Sequence, residues 1–490
     1  MSTACVSLVA NHGPYNNYPG MAATFERMRL VARPEQDELP EFTQENLRQL
    51  TSQLVEHEGE APEEYERYIG TANRGLVLSV ETQLQIAEKL AGKKVLVTGG
   101  TGVIGSKLTR LIAAQNPERL VSVSRNDGRE FEPVDGVEYL SCDIRDKQKL
   151  YEIMAQEKPD IIFHLAAVRD PGLAEIEAAR TLETNIFGTR NLIEAAEAAA
   201  VPQIVYASTG KALRPYSCDN YASSKQAAEW LFAEAAARNS HVSYSAARFT
   251  HVVDGSIVIT NVGKAIAGET FRLHDTDDDF YAQSALESAQ LLLVSSLNAQ
   301  SGRFNACALN NLGMPINLTR LVIGAMAAHG VAPVYISGKP GGYELKPWYF
   351  LYDQLNAGDV SGLISALEWP VRPAIGGRDP RTGVEQVDCF SIEYASREAF
   401  DSMLSMLEAA CRDNEPPDLL RKKEQLLSWA RFEARLETVP GDIINRTVER
   451  IRQATAQGLT FNTEHGTINE LILAAAEVRA RRTLGMVATG

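Results

Sequence analysis

A tyrosine and a lysine four residues apart, in Tyr221-Ala222-Ser223-Ser224-Lys225, are the side chains best suited to moving a proton. At the start of a helix such a pair shares one face, one turn apart. A neighbouring ammonium stabilises phenolate and lowers the phenol pKa, making the tyrosine a competent proton acceptor near neutral pH. Ser208 and Thr209 stand just past an apolar run, Ile204–Ala207, where a hydroxyl can orient a substrate oxygen. Alone, Tyr-x-x-x-Lys is a weak signal; a second motif upstream gives it weight.

That motif is Thr98-Gly99-Gly100-Thr101-Gly102-Val103-Ile104-Gly105, preceded by the apolar run Val95–Val97. Leu108, Leu111 and Ile112 follow at helical spacing. Glycines let the backbone approach a pyrophosphate, and the helix then points its N–H groups and positive dipole end at that charge. Gly99, Thr101, Gly102, Val103, Ile104 and Gly105 are therefore candidate cofactor-binding residues. At the end of the next strand an acid would accept a ribose 2′-hydroxyl and repel a 2′-phosphate. The chain has Ser124-Arg125 there, with Arg129 nearby and the first acid, Asp127, two residues on. A guanidinium suits a 2′-phosphate, so NADP is expected over NAD, the alternative being an exposed surface charge.

Positioning these residues requires strands that alternate with helices. Strands are expected at 95–97, 120–124, 139–142, 161–165, 204–207 and 241–248, with helices at 149–155, 181–200 and 225–238. This rhythm predicts an α/β doubly wound parallel sheet with ligands at the carboxyl ends of its strands. The expected organisation is a helical N-terminal extension (1–90), a dinucleotide-binding domain (91–260), a smaller substrate-binding region (261–385) and a helical C-terminal region (386–490). Leu47, Leu50, Leu54 and Val55 form one apolar helical face that must dock on this chain or on a partner subunit. Of the side chains near strand ends, His164 reads as packed, while Arg169 and Arg248 are candidate substrate ligands. Trp348, Tyr349 and Tyr352 read as core or as a sugar platform.

Composition narrows the class. A chain of 490 residues with 44% hydrophobic and 23% charged residues is an ordinary globular protein of more than one domain. A net charge of −15, with no block of lysines or arginines, argues against nucleic acid or an anionic membrane surface as partner. The six cysteines are scattered singly, so neither a metal site nor a disulfide framework is expected, and a reducing cytoplasm is. No apolar run reaches membrane-spanning length, and Met1–Gly20 lacks the order of a signal peptide.

Taken together, Thr98–Gly105, Cys142-Asp143-Ile144, His164-Leu165-Ala166-Ala167, Thr184–Thr189, Ala207–Lys211 and Tyr221–Lys225 resemble the extended short-chain dehydrogenase/reductase superfamily. The resemblance implies a Rossmann-type fold, Tyr221 as catalytic base, Lys225 as its partner and ribose ligand, and Thr209 as the substrate-orienting hydroxyl. It places Asp143 and Ile144 at the adenine, Leu165, Ala166 and Ala167 along the cofactor, and Asn185 and Ser124 in the same site. Ser208 joins the candidate substrate ligands. Ser208–Pro215, Ala247–Phe249 and Pro340–Glu344 are similar to bacterial polysaccharide-biosynthesis sugar-nucleotide 4,6-dehydratases and epimerases. Those enzymes oxidise C4 of a nucleotide-linked sugar, and a lysine then removes the acidified C5 proton; the matching residue is Lys211. An aspartate protonates the leaving 6-hydroxyl, but Gly210 stands in its place, which favours epimerisation over water loss. His251 replaces an asparagine, and Asp277–Phe280 lacks an arginine that the group uses near the nucleotide phosphates. A nucleotide-sugar substrate and a homo-oligomer are expected. A net dehydrogenase or ketoreductase, and a non-catalytic NADP-binding sensor or scaffold, are the alternatives.

Overall fold

The computed structural model describes residues 19–31, 39–57, 61–125, 132–213, 219–255, 257–273, 279–309, 312–313, 315–336, 387–392, 397–456, 458 and 463–488, with 363, 365, 367–368 and 370–372. Arg129, Pro340–Glu344, Trp348, Tyr349 and Tyr352 lie outside these residues. The chain divides into two compact units: 76–249 with 288–311 and 347–490, and 1–75 with 250–287 and 312–346.

The larger unit is built on one sheet. Its strands are β1 (Lys94–Thr98), β2 (Arg119–Ser124), β3 (Val137–Ser141), β4 (Ile161–His164), β5 (Gln203–Thr209), β6 (Ser243–Phe249), β7 (Phe304–Leu309), β8 (Pro370–Arg372) and β9 (Val387–Ile392). They lie in the order β8-β9-β7-β6-β5-β4-β1-β2-β3, with Gln300–Ser301 paired beside β6. The pairs from β7 through β3 are parallel, and β9 and β8 add antiparallel strands at one edge. β1, β4 and β5 are almost wholly buried apolar runs, as a strand covered on both faces must be. The chain order reverses between β1 and β4, the switch point at which doubly wound sheets bind their ligands.

The helix Val103–Ala113 follows β1, burying Leu108 and Ile112, and Asn220–Arg238 follows β5, burying Trp230 and Phe232. The single helix expected at 181–200 is broken. Ala178–Leu182 and Thr189–Ala198 are α-helical, and Glu183–Gly188 between them is a wider π-type turn. The cause is local: Asn185 is pinned by hydrogen bonds to Val168, and Gly188 is pressed against Ile144. Such turns concentrate at functional sites.

In the smaller unit, the helices Glu41–His57 and Ala61–Ala72 share a core with Ile257–Ala267 and Leu318–His329. Leu47, Leu50 and Leu54 sit in that core beside Leu321 and Val322, each contributing about 1.5–3 kcal/mol by burial. Their apolar face therefore docks on its own chain. Three short sheets complete the unit: Phe271–Leu273 with Val334–Ile336, Asp279–Phe280 with Ile316–Asn317, and His251–Val252 with Ala282–Gln283.

The four consecutive segments expected from the sequence are thus replaced by interleaved ones. Residues 1–75 belong with 250–287 and 312–346 because their helices share that core. Residues 288–311 return to the large unit because the buried strand Phe304–Leu309 pairs with β6. Within the expected helical region 386–490, Val387–Ile392 is a strand, and the described chain is mainly helical from Arg397.

Candidate active site

The loop after β1 is shaped by its glycines. Gly99 has φ +72°, and a Cβ on it would sit 2.9 Å from the Ala166 backbone nitrogen. A Cβ on Gly105 would collide with the Gly99 carbonyl oxygen, so the helix can approach the strand this closely only without a side chain. Gly102 is the N-cap of the helix Val103–Ala113 and offers no side-chain cap, leaving the first-turn N–H groups for an anion.

A cleft opens at the carboxyl ends of the strands. It is lined by Gly99, Thr101, Gly102, Val103, Ile104, Gly105, Ser124, Arg125, Asp143, Ile144, Leu165, Ala166, Ala167, Arg169, Ser208, Tyr221 and Lys225. Cys142, Val168, Thr184, Ala207 and Phe249 also line it. Residues from six strand ends and the starts of two helices thus meet in one place. The glycine cradle and uncapped helix end fit a dinucleotide pyrophosphate, and Arg125 and Asp143 line the same cleft. Burial works against the Asp143 charge, but hydrogen bonds from Arg145 hold its carboxyl below the ordinary value, helped by Arg125.

Tyr221 and Lys225 start the helix Asn220–Arg238, whose N-cap Asp219 accepts the Ala222 N–H at 2.7 Å. That carboxylate is therefore a buried cap. Thr209, at the end of β5, hydrogen-bonds the Tyr221 side chain. Lys211 follows in a buried helical turn, its Nζ 5.7 Å from the Tyr221 ring centre. Burial pushes the Tyr221 phenol up to about 12, against the Thr209 hydrogen bond and the Arg169 charge, while Asp219 adds to the rise. Burial pushes Lys225 down to about 7, opposed by Glu229. The expected lowering of Tyr221 by Lys225 is not found. The ammonium instead donates to the Ala207 carbonyl oxygen at 2.7 Å, one strand away.

Three further candidates differ from expectation. Asn185 does not line the cleft. Its Oδ1 accepts the Val168 N–H at 2.8 Å, and its Nδ2 donates to the Val168 carbonyl at 3.0 Å and to Ser224 Oγ at 2.9 Å. It ties the loop after β4 to the helix Asn220–Arg238. Arg248 is fully buried between Glu229 and Glu368, with ion-pair distances of 2.6 and 2.7 Å, and cannot reach a ligand. Two carboxylates outweigh the burial penalty and hold it protonated. Ser208 lines the cleft, but its hydroxyl donates to Glu229 Oε1 at 2.6 Å. Sequence spacing missed Glu229 because its partners, Ser208 and Arg248, lie on β5 and β6.

His164 is the packed residue expected. It is fully buried between Thr98 Oγ1 at 2.7 Å and Thr189 Oγ1 at 3.0 Å, and burial lowers its pKa to about 3. Thr98 Oγ1 also receives the Leu165 and Ala166 N–H groups at 3.2 Å, so the neutral imidazole braces the switch point. Among the described residues no cluster of acids, histidines and cysteines could hold a metal ion, and no helix is long and apolar enough to cross a membrane.

A parallel sheet of this order, with a glycine cradle after β1 and a tyrosine–lysine pair after β5, is a Rossmann-type fold. Residues 95–334 match the model of the polysaccharide biosynthesis protein family. It is 25% identical over 282 residues to the capsular polysaccharide biosynthesis protein CapD of Staphylococcus aureus, across 55% of this chain and 46% of that one. The chain thus spans less than half of that relative's length. It is 28% identical over 278 residues to a UDP-N-acetylglucosamine 4,6-dehydratase (inverting) of Campylobacter jejuni, across 53% of this chain and 82% of that one. A solved UDP-glucose 4-epimerase of Thermotoga maritima superposes with a TM-score of 0.45 at 20% identity, covering 51% of this chain and 87% of that one.

Proposed function

We propose that this protein is an NAD(P)-dependent enzyme that modifies a nucleotide-linked sugar by proton transfer beside a transient carbonyl. The observation that carries the reading is the meeting of the glycine cradle, Tyr221 and Lys225 in one cleft, with Thr209 bonded to the tyrosine. The dehydratase relative, covered over most of its length, supports the substrate class.

Gly99, Gly102 and the first turn of the helix Val103–Ala113 would hold the dinucleotide pyrophosphate. When bound, the dinucleotide supplies a reversible hydride acceptor. Arg125 at the end of β2 favours the NADP form, since a guanidinium pairs with a 2′-phosphate bidentately. Thr209 orients the sugar hydroxyl, and the Tyr221 oxygen receives its proton. Lys211 takes the proton from the carbon next to the carbonyl. With Gly210 in place of an elimination acid, returning that proton on the other face is favoured over losing water.

The test is incubation of the purified chain with UDP- and dTDP-linked sugars in deuterated water, followed by NMR and mass spectrometry. Deuterium at C5 without loss of water supports the epimerase reading, whereas a product lighter by water identifies a dehydratase. Turnover only with added oxidant, or none with any sugar, overturns the proposal.

A further inference from the structure

Glu175 Oε1 accepts the backbone N–H of Asn220 at 2.7 Å, and Oε2 lies 3.3 Å from Asn220 Nδ2. Arg421, 246 residues later, donates from Nε to Oε2 at 2.7 Å. The Glu175 side chain is only 3% exposed, and a carboxylate this dry is costly unless paired. Arg421 therefore secures the acceptor that holds the first N–H of the catalytic helix, while Asp219 holds the N–H of Ala222. Tyr221 lies between the two tied residues.

The helix Pro417–Thr438 continues along the same line. Arg421, Glu424, Ser428 and Arg431 recur at three- and four-residue spacing and so share one face. Glu424 accepts a hydrogen bond from Ser223, and Ser428 Oγ donates to Gln226 Oε1 at 3.3 Å. The Arg431 guanidinium lies 5.7 Å from the Trp230 ring centre. Leu420, Leu427 and Phe432 are buried. This whole helix lies beyond the matched family segment, which ends at residue 334.

We propose that the helix Pro417–Thr438 is a brace for the catalytic helix, and that Arg421 and Glu175 are positioning residues that hold the turn bearing Tyr221 in register with Thr209. The inference rests on the reading of Tyr221 as the proton acceptor. Arg421 does not line the cleft; it acts through Glu175 and the Asn220 amide.

The test compares wild type, Tyr221→Phe, Arg421→Met and Arg421→Lys. Sugar turnover and amide hydrogen exchange over residues 219–225 are measured on the full chain. Arg421→Met is expected to lower kcat by on the order of 10- to 100-fold, as a displaced catalytic group does, with KM within about twofold. Exchange is expected to quicken at Asn220–Ala222 and not across the sheet, and Arg421→Lys recovers much of both. If Arg421→Met folds poorly, Arg421→Met/Glu175→Gln removes both charges together, and the brace predicts the same loss of kcat in the folded double variant. Wild-type kcat and exchange in a folded variant overturn the brace, as does faster exchange spread evenly over the domain. An inactive wild type, or a fully active Tyr221→Phe, instead overturns the functional reading on which the brace rests.

Discussion

Lys225 Nζ donates to the Ala207 carbonyl oxygen at 2.7 Å and lies 4.2 Å from the centre of the Tyr206 ring. The ammonium is thus seated on β5, the strand that ends in Thr209, and the charge is buried there with Glu229 as its opposing acid. Its folded pKa of about 7 lies below the ordinary 10.5. Below pH 7 the lysine is charged folded and unfolded, and the cost of burying that charge is fully present. Between pH 7 and 10.5 only the unfolded chain keeps the proton, so this group adds stability as pH rises. Melting temperatures of wild type and Lys225→Met should therefore move apart in favour of wild type as pH climbs from 7 to 10. The variant should also lose turnover by on the order of 10²–10⁴-fold, the usual worth of a positioned acid–base group. A constant difference in melting temperature across that range would contradict the assignment.

Arg125 lines the cleft at the end of β2, where a 2′-phosphate would lie. Replacing it by aspartate should weaken NADP binding by on the order of 10- to 100-fold, the equivalent of one charge-assisted contact, and strengthen NAD binding. Titration calorimetry with the two dinucleotides reads both affinities. Equal loss for both would mean that Arg125 does not choose between them.

His164 ties Thr98 to Thr189 as a neutral ring with a folded pKa of about 3 against an ordinary 6.5. Because that pKa is depressed, the unfolded chain binds a proton first on acidification. Stability is complete above pH 6.5 and falls by about 1.4 kcal/mol per pH unit below it. Urea titrations at pH 7, 6 and 5 should show this slope, and His164→Gln should make it shallower while lowering stability at pH 7.

The parts of the site that are local in sequence were legible there. Gly99, Gly102 and Gly105 lie within one turn, and Tyr221 and Lys225 within another, so spacing alone places each set. The strands Ile161–His164 and Gln203–Thr209 announce themselves by the apolar runs Ile161–Phe163 and Ile204–Ala207. What could not be read is pairing at a distance. Arg248 looks like any arginine at a strand end until Glu229 and Glu368 enclose it. Asn185 sits in a stretch with good helical periodicity, and only its bonds to Val168 show why the helix widens. The interleaving of residues 1–75 with 250–287 and 312–346 arises from packing of apolar helix faces, which carry no label of their partner.

The most direct measurement of the central claim is C5 deuterium incorporation into a nucleotide-linked sugar by wild type and by Tyr221→Phe, side by side in deuterated water. The account predicts label at C5 with wild type and a loss of on the order of 10²–10⁴-fold with Tyr221→Phe, at comparable melting temperatures. Equal incorporation by the two proteins would contradict it.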